Sequence, residues 1–392
     1  MIAIVGRGCA LPGALDPQSL LRLSDRGEVA IGPVPEGRWR LSRERVLSSG
    51  PAPDRAWSDR GGYVRGLEGV FDPTGFALDV ELVRSLDPLF HFVLHAGREA
   101  LREARMLGER RRSACILGNL SFPTASHAAF AERVWLGEHA RAPAASPLER
   151  FHSGLPATLL SKALGLDDAG SLCLDAACAS SLYAIALACD ALTDRRCDVA
   201  LAGAVNCTDD LFIHVGFCAL DALSKRGRSS PFSVEADGLV PAEGAAIVAL
   251  MRHDDALAEG RPVLGVIRGV GLANDGRGKS LLAPAEEGQA RAMKIALSKS
   301  GLAPEDVSWI EAHATGTPMG DAVEARSTGS VYGRAIGEAR GLPMGSLKAN
   351  LGHAITAAGA AGLLRVLGCF EQGIFPITPG AERPIDELAR AG

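Results

Sequence analysis

One segment, Ser171-Leu-Cys-Leu-Asp-Ala-Ala-Cys178-Ala-Ser-Ser-Leu182, limits the folds open to this chain more than any other. Its first residues have strand length and pattern, its centre is a run of small residues suited to a tight turn, and the stretch Leu182-Tyr-Ala-Ile-Ala-Leu-Ala-Cys189 reads as a helix. That helix is apolar nearly all round, the mark of an element buried inside a protein. Similar strand-length runs recur at Ala114–Gly118, Val199–Gly203, Ala245–Leu250 and Val307–Ile310, between longer helical patterns. Such alternation predicts a layered α/β fold.

The turn delivers Cys178 to a helix N-terminus, where unpaired N–H groups and the helix dipole favour a thiolate and can hold an oxyanion. Cys178 is therefore the candidate nucleophile, against the plainer reading of one more packed thiol among nine cysteines. Cys173, on the strand, is expected to be such a packed thiol. Two further segments carry a histidine where an apolar strand meets a Gly-rich turn and a helix. They are Trp309-Ile-Glu-Ala-His313-Ala-Thr-Gly-Thr-Pro-Met-Gly-Asp321 and Gly345-Ser-Leu-Lys348-Ala-Asn-Leu-Gly-His353-Ala-Ile-Thr-Ala-Ala-Gly359.

In order and spacing, DAACASSL, EAHATGTPMGDAVEA and GSLKANLGHAITAAG resemble the three signature blocks of β-ketoacyl synthases. The similarity runs from Ile2 to about Pro376. FSVEADGLVPAEGAA and NDGRGKSLLAPAEEGQARAM look most like ketosynthases of iterative type I polyketide and polyunsaturated-fatty-acid synthases. The resemblance implies a thiolase-like αβαβα sandwich of two similar halves. We place them at 1–252, carrying the nucleophile, and 253–392, carrying both histidines, with the boundary in the polar stretch Arg252–Pro262.

The implied reaction is a decarboxylative Claisen condensation. Cys178 takes an acyl group from a carrier-protein thioester, a malonyl-type extender loses carbon dioxide, and the enolate attacks acyl-Cys178. Neutral His313 and His353 are expected to donate to the enolate oxygen, with Lys348 in electrostatic support. Asp321 and Glu324 also match family positions and are read as structural carboxylates at a helix start. No bound cofactor or metal is expected; substrates would arrive as phosphopantetheine thioesters. The chain has no carrier-protein serine motif and no acyltransferase G-H-S-x-G block, so the acyl carrier protein and the acyltransferase are expected in trans or on other domains. A homodimer is also implied.

Two departures from the family pattern stand out. Ala354-Ile355 occupies the place of a Leu-Glu pair, and the family's closing Gly-Phe-Gly-Gly-type turn with its strands is absent before Gly392. The second departure leads us to expect truncated C-terminal strands and a weakened oxyanion hole. It also keeps open the alternative of a non-elongating, chain-length-factor-like scaffold, although such relatives typically lose the cysteine that this chain retains.

Other classes fit poorly. Nine cysteines without a C-x-x-C pair suit reduced cytoplasmic thiols, and a net charge of −5 disfavours nucleic acid. No run is long enough for a membrane span, and Met1–Gly6 reads as a first strand rather than a signal peptide. Gly6-Arg-Gly8-Cys-Ala-Leu-Pro-Gly13 misses the dinucleotide pattern at Leu11 and is read as a turn. Gly278-Lys-Ser280 misses the P-loop at Ala273. The stretches 37–62 and 138–147 are read as surface excursions.

Overall fold

The computed structural model describes residues 1–50, 52–120, 124–139, 148, 151–207, 211–277, 283–333 and 341–391. Its strands are β1 (Ile2–Ala10), β2 (Ile31–Pro33), β3 (Arg60–Gly62), β4 (Arg112–Gly118), β5 (Asp167–Leu174), β6 (Val199–Asn206), β7 (Gly244–Arg252), β8 (Gly265–Ile267), β9 (Ile310–Glu311) and β10 (Met344–Gly345). Six of them form one mixed sheet in the order β5-β4-β6-β7-β1-β8. β4 runs parallel to both β5 and β6, whereas β7 is antiparallel to β6 and β1. A short parallel pair, β9 and β10, makes a second sheet.

Both faces of the six-stranded sheet are covered, which is why its strands are apolar without alternation. Ala3 and Val5 of β1 face a core with the helices Pro88–Glu103 and Leu155–Ala163. Ile2 and Ile4 face the opposite core, with Ser180–Thr193 and Ala358–Gln372. Those two central helices touch one another, and Ala358–Gln372 also meets β9. The helices Glu286–Ser300 and Pro318–Tyr332 pack together in the second half.

The stretch Gly6–Gly8 is strand, not the turn expected; β1 continues to Ala10 and the chain reverses between Leu11 and Ala14. The glycines serve helix packing. A Cβ on Gly6 would lie 2.1 Å from the carbonyl oxygen of Ala100, and one on Gly8 2.1 Å from that of Ala96. The second half repeats the device: a Cβ on Gly269 would lie 2.6 Å from the oxygen of Ala296, and one on Gly271 1.9 Å from that of Ala292. A Gly-x-Gly segment thus seats on an Ala-x-x-x-Ala helix twice, giving the two halves a common packing signature.

A second correspondence lies at the centre. The 3₁₀ turn Ala177–Ala179 leads into Ser180–Thr193, and the 3₁₀ turn Ile355–Ala357 leads into Ala358–Gln372. Each turn opens on a non-glycine residue with positive φ, Ala177 at 49° and Ile355 at 45°.

Other expectations need adjusting. Strand around Trp309 is confined to Ile310–Glu311. The excursion 37–62 buries Trp39 and Ala56 and ends in β3, so it is anchored rather than superficial. Gly278–Ser280 and residues 140–147 lie outside the described residues.

Candidate active site

Cys178 sits in the 3₁₀ turn between β5 and the helix Ser180–Thr193, as its sequence setting implied. The preceding Ala177 is held left-handed, and its N–H donates to Asp175 Oδ1 at 2.9 Å. Ser180 Oγ donates to the Ala177 carbonyl at 2.6 Å and accepts from the Ala176 N–H at 2.9 Å, tying the elbow shut. Backbone strain of this kind costs on the order of 1–3 kcal/mol and persists only where the surroundings enforce it. Here it aims the sulfur at the second half.

His353 answers from that half. Its Nε2 lies 3.0 Å from Cys178 Sγ, and its Nδ1 accepts the Ile355 backbone N–H at 3.2 Å. An Nδ1 that accepts is unprotonated, so in the neutral ring Nε2 carries the hydrogen and points it at sulfur. The backbone of His353 bonds across to the first half, its N–H to Val240 O at 2.7 Å and its carbonyl to Ala242 N at 2.8 Å. The ring of His313 stands edge-on to that of His353, 5.3 Å between centroids. Glu324 fixes its backbone: Oε1 accepts from His313 N at 2.7 Å and Oε2 from Ala314 N at 2.6 Å. Asp321 likewise accepts from Phe232 N at 2.7 Å and Gly316 N at 3.2 Å. Both carboxylates therefore hold loops.

Burial sets the electrostatics. It pushes the His313 pKa down to about 3 and that of His353 well below the ordinary value, helped in both by the Lys348 charge. Both rings are neutral at pH 7. Lys348 is buried, and burial lowers its pKa against the opposing pull of Glu311, Glu324, Cys178 and Asp321. For Cys178 the expectation from the helix end is corrected: burial raises the thiol pKa and outweighs the lowering by Lys348 and by its own backbone N–H. Cys173 donates to the Gly154 carbonyl at 3.5 Å, and burial raises its pKa to about 11, as suits a packed thiol.

Cys178, His313 and Lys348 open onto one largely apolar cavity of about 620 Å³, whose walls include Tyr183, Met293, Leu363 and Val366. His313 is enclosed by protein yet reached by solvent through this cavity. A second hollow of about 670 Å³ lies along Glu286–Ser300 and is lined by none of Cys178, His313, Lys348 and His353. The thiol and two imidazoles bring ligand atoms within 4.8 Å of one another, a set that resembles a zinc site. However, the proton on His353 Nε2 occupies the lone pair a metal would need, and the Ile355 N–H keeps it there.

The four residues singled out in the sequence thus meet at one place. Sequence reading passed over Glu311, which accepts from Leu347 N at 2.7 Å and pairs with Arg365 Nη1 at 2.7 Å. Its signal was its place two residues before His313. Ala354 and Ile355, where a Leu-Glu pair was expected, are both buried.

Layering of this kind, with Cys178 from one half brought against His313, Lys348 and His353 from the other, is the thiolase-like arrangement. The chain belongs to the β-ketoacyl synthase family: the profile of the beta-ketoacyl synthase N-terminal domain matches residues 1–256 and that of the C-terminal domain matches 264–382. Among curated relatives, it is 33% identical to the PKS-NRPS hybrid synthetase acdB of Aspergillus candidus, over 98% of this chain and 15% of that protein. It is also 33% identical to the pikromycin polyketide synthase component PikAIII of Streptomyces venezuelae, over 99% of this chain and 24% of that protein. The chain therefore spans under a quarter of the length of these two relatives.

Among solved structures, the PfaC keto synthase-chain length factor superposes with a TM-score of 0.89 at 31% identity, covering 98% of this chain and 43% of that one. The oxazolomycin ketosynthase domain OzmH KS7 of Streptomyces albus JA3453 gives a TM-score of 0.87 at 32% identity, covering 99% of this chain and 65% of that one.

Proposed function

We propose that this chain catalyses decarboxylative Claisen condensation of an acyl thioester with a malonyl-type extender. The observation that carries the proposal is the His353 Nε2 to Cys178 Sγ contact, with a second neutral imidazole, His313, against the same ring. Cys178 attacks the acyl thioester; the carrier thiol leaves with a proton and the acyl group stays on sulfur. The extender then binds with its thioester oxygen toward the two imidazole N–H groups. Cleavage of its carbon–carboxylate bond releases carbon dioxide and leaves an enolate held by those donors. The enolate carbon attacks acyl-Cys178, and the thiolate departs. Lys348 supplies a fixed positive charge beside the sulfur and the imidazoles. In finer terms we assign a 3-oxoacyl-[acyl-carrier-protein] synthase type of transfer, with phosphopantetheine thioesters as substrates and with carrier protein and acyltransferase on other domains or chains.

The domain division at 252/253 is part of this reading; it falls four residues before the N-terminal profile ends at 256, and the C-terminal profile begins at 264. So is a homodimer: β5 is the edge strand of the large sheet, and Leu172 on it, with Leu182 and Leu187 on the next helix, is exposed. Nine free cysteines favour a cytoplasmic setting. No helix among the described residues is long and apolar enough to cross a membrane.

The test is incubation with an acyl donor on carrier protein and with malonyl carrier protein, read by mass spectrometry. An acyl adduct on Cys178 and a product two carbons longer are expected. Binding to the carrier without either would instead support a scaffold.

A further inference from the structure

We propose that Glu311 is a positioning residue for this reaction, the central member of a buried series Arg365–Glu311–Lys348 that fixes the ammonium of Lys348 beside the reacting groups. The proposal rests on the condensing reading above.

Glu311 ends β9, two residues before His313. Its Oε1 accepts the N–H of Leu347, the residue immediately before Lys348, so the carboxylate grips the start of the short helix Lys348–Leu351. Its Oε2 takes Arg365 Nη1, from the helix that follows the His353 turn. One side chain therefore ties together the three segments that carry His313, Lys348 and His353. Arg365 is 0% exposed, and its remaining donors go to Ser24 Oγ at 2.8 Å and to the carbonyls of Pro376 and Ile377 at 3.0 and 3.1 Å. Glu311 is its one carboxylate partner among the described residues.

Two glycines make room for the pair. A Cβ on Gly362 would stand 3.0 Å from Glu311 Cγ, and one on Gly345 3.1 Å from Arg365 Nη1.

The charge balance points the same way. A buried ammonium without a counter-charge is strongly disfavoured, because burial removes its hydration. Glu311, Glu324 and Asp321 all act on Lys348 in the direction that holds it charged, against its burial. Glu311 and Glu324 both line the cavity wall with Lys348, Cys178 and His313, but Glu324 and Asp321 accept only from loop backbone, whereas Glu311 joins the N–H before Lys348 to the Arg365 guanidinium. Through Lys348 the series reaches all three reacting groups, since that charge lowers the Cys178 pKa and those of both histidines.

Glu311→Gln keeps an oxygen for the Leu347 N–H and removes the charge. Lys348 then loses its proton at lower pH, so the alkaline limb of kcat for malonyl decarboxylation should move down by about one unit, while KM for the malonyl carrier thioester changes less than twofold. Above that limb the rate should fall about tenfold relative to wild type. Glu311→Asp, which keeps the charge, should return the limb to its wild-type pH. The double variant Glu311→Gln/Arg365→Met leaves no unpaired guanidinium and should show the downward shift if the single variant does not fold. An alkaline limb at the wild-type pH in whichever of the two glutamine variants, Glu311→Gln or Glu311→Gln/Arg365→Met, is folded overturns the role of Glu311 alone. A wild-type chain that decarboxylates malonyl thioester at no pH overturns the condensing reading and this inference with it.

Discussion

The backbone N–H of Ile355 donates to Nδ1 of His353, and this one bond turns the imidazole hydrogen toward Cys178. A ring so fixed is a donor at Nε2, not a base. It follows that a substituted side chain should retain function in proportion to its ability to donate from the same place. His353→Ala and His313→Ala should each slow decarboxylation by about a hundredfold to a thousandfold, the usual cost of losing one oxyanion donor. His353→Gln, with an amide N–H near the lost Nε2, should fall between wild type and alanine. Carbon dioxide release from malonyl carrier protein measures this, and acyl loading of Cys178 should persist in every case.

Cys178→Ser should fold with the wild-type melting temperature and condense at least a hundredfold more slowly, because an alcohol is a poor nucleophile at neutral pH. In the wild type, peptide mapping after acyl transfer should find the label on Cys178 and on none of the other eight cysteines. Label on Cys173, whose thiol burial holds to about 11, would reassign the nucleophile.

Gly8→Ala and Gly271→Ala should both destabilise, since each new Cβ meets a helix carbonyl that cannot retreat. Overpacking of this kind costs about 1–3 kcal/mol, and here the obstacle is backbone. Chemical denaturation compares the two. Similar losses are expected at the two sites, in keeping with one packing device used twice.

His214 is fully buried, and burial lowers its pKa to about 4 from the ordinary value of 6.5. The folded pKa is depressed, so its neutral form contributes stability that is complete above pH 6.5 and is lost as pH falls toward 4. The slope is about 1.4 kcal/mol per pH unit for one such group. His214→Asn removes the titration. The stability difference between wild type and variant should therefore shrink as pH is lowered from 6.5 to 4, and denaturant midpoints across that range measure it.

The strand, turn and helix around Cys178 were legible because their pattern is local: small residues at a turn and an unbroken apolar run after it. His313 and His353 stand where apolar strands meet Gly-rich turns, while their roles, and the choice of Lys348, came from the resemblance of those segments to β-ketoacyl synthase blocks. What the sequence hid was of two kinds. Gly6 and Gly8 look like turn residues until Ala96 and Ala100, some ninety positions away, are known to lie against them. The Glu311–Arg365 pair joins residues 54 positions apart, each of which alone reads as an ordinary surface charge. The thiol of Cys178 was misjudged for a related reason, since a helix end can be read from a sequence while the depth of burial that opposes it cannot.

The repeated seating of a Gly-x-Gly segment on an alanine-faced helix also measures how much variation the architecture absorbs. In the first half 88 positions separate Gly8 from Ala96, whereas 21 separate Gly271 from Ala292. A fourfold longer connection adds only about 1 kcal/mol of closure entropy. The interval between these fixed points is thus a tolerant insertion site, where new surface can be grafted while the wedge of strand and helix keeps the reaction centre in register.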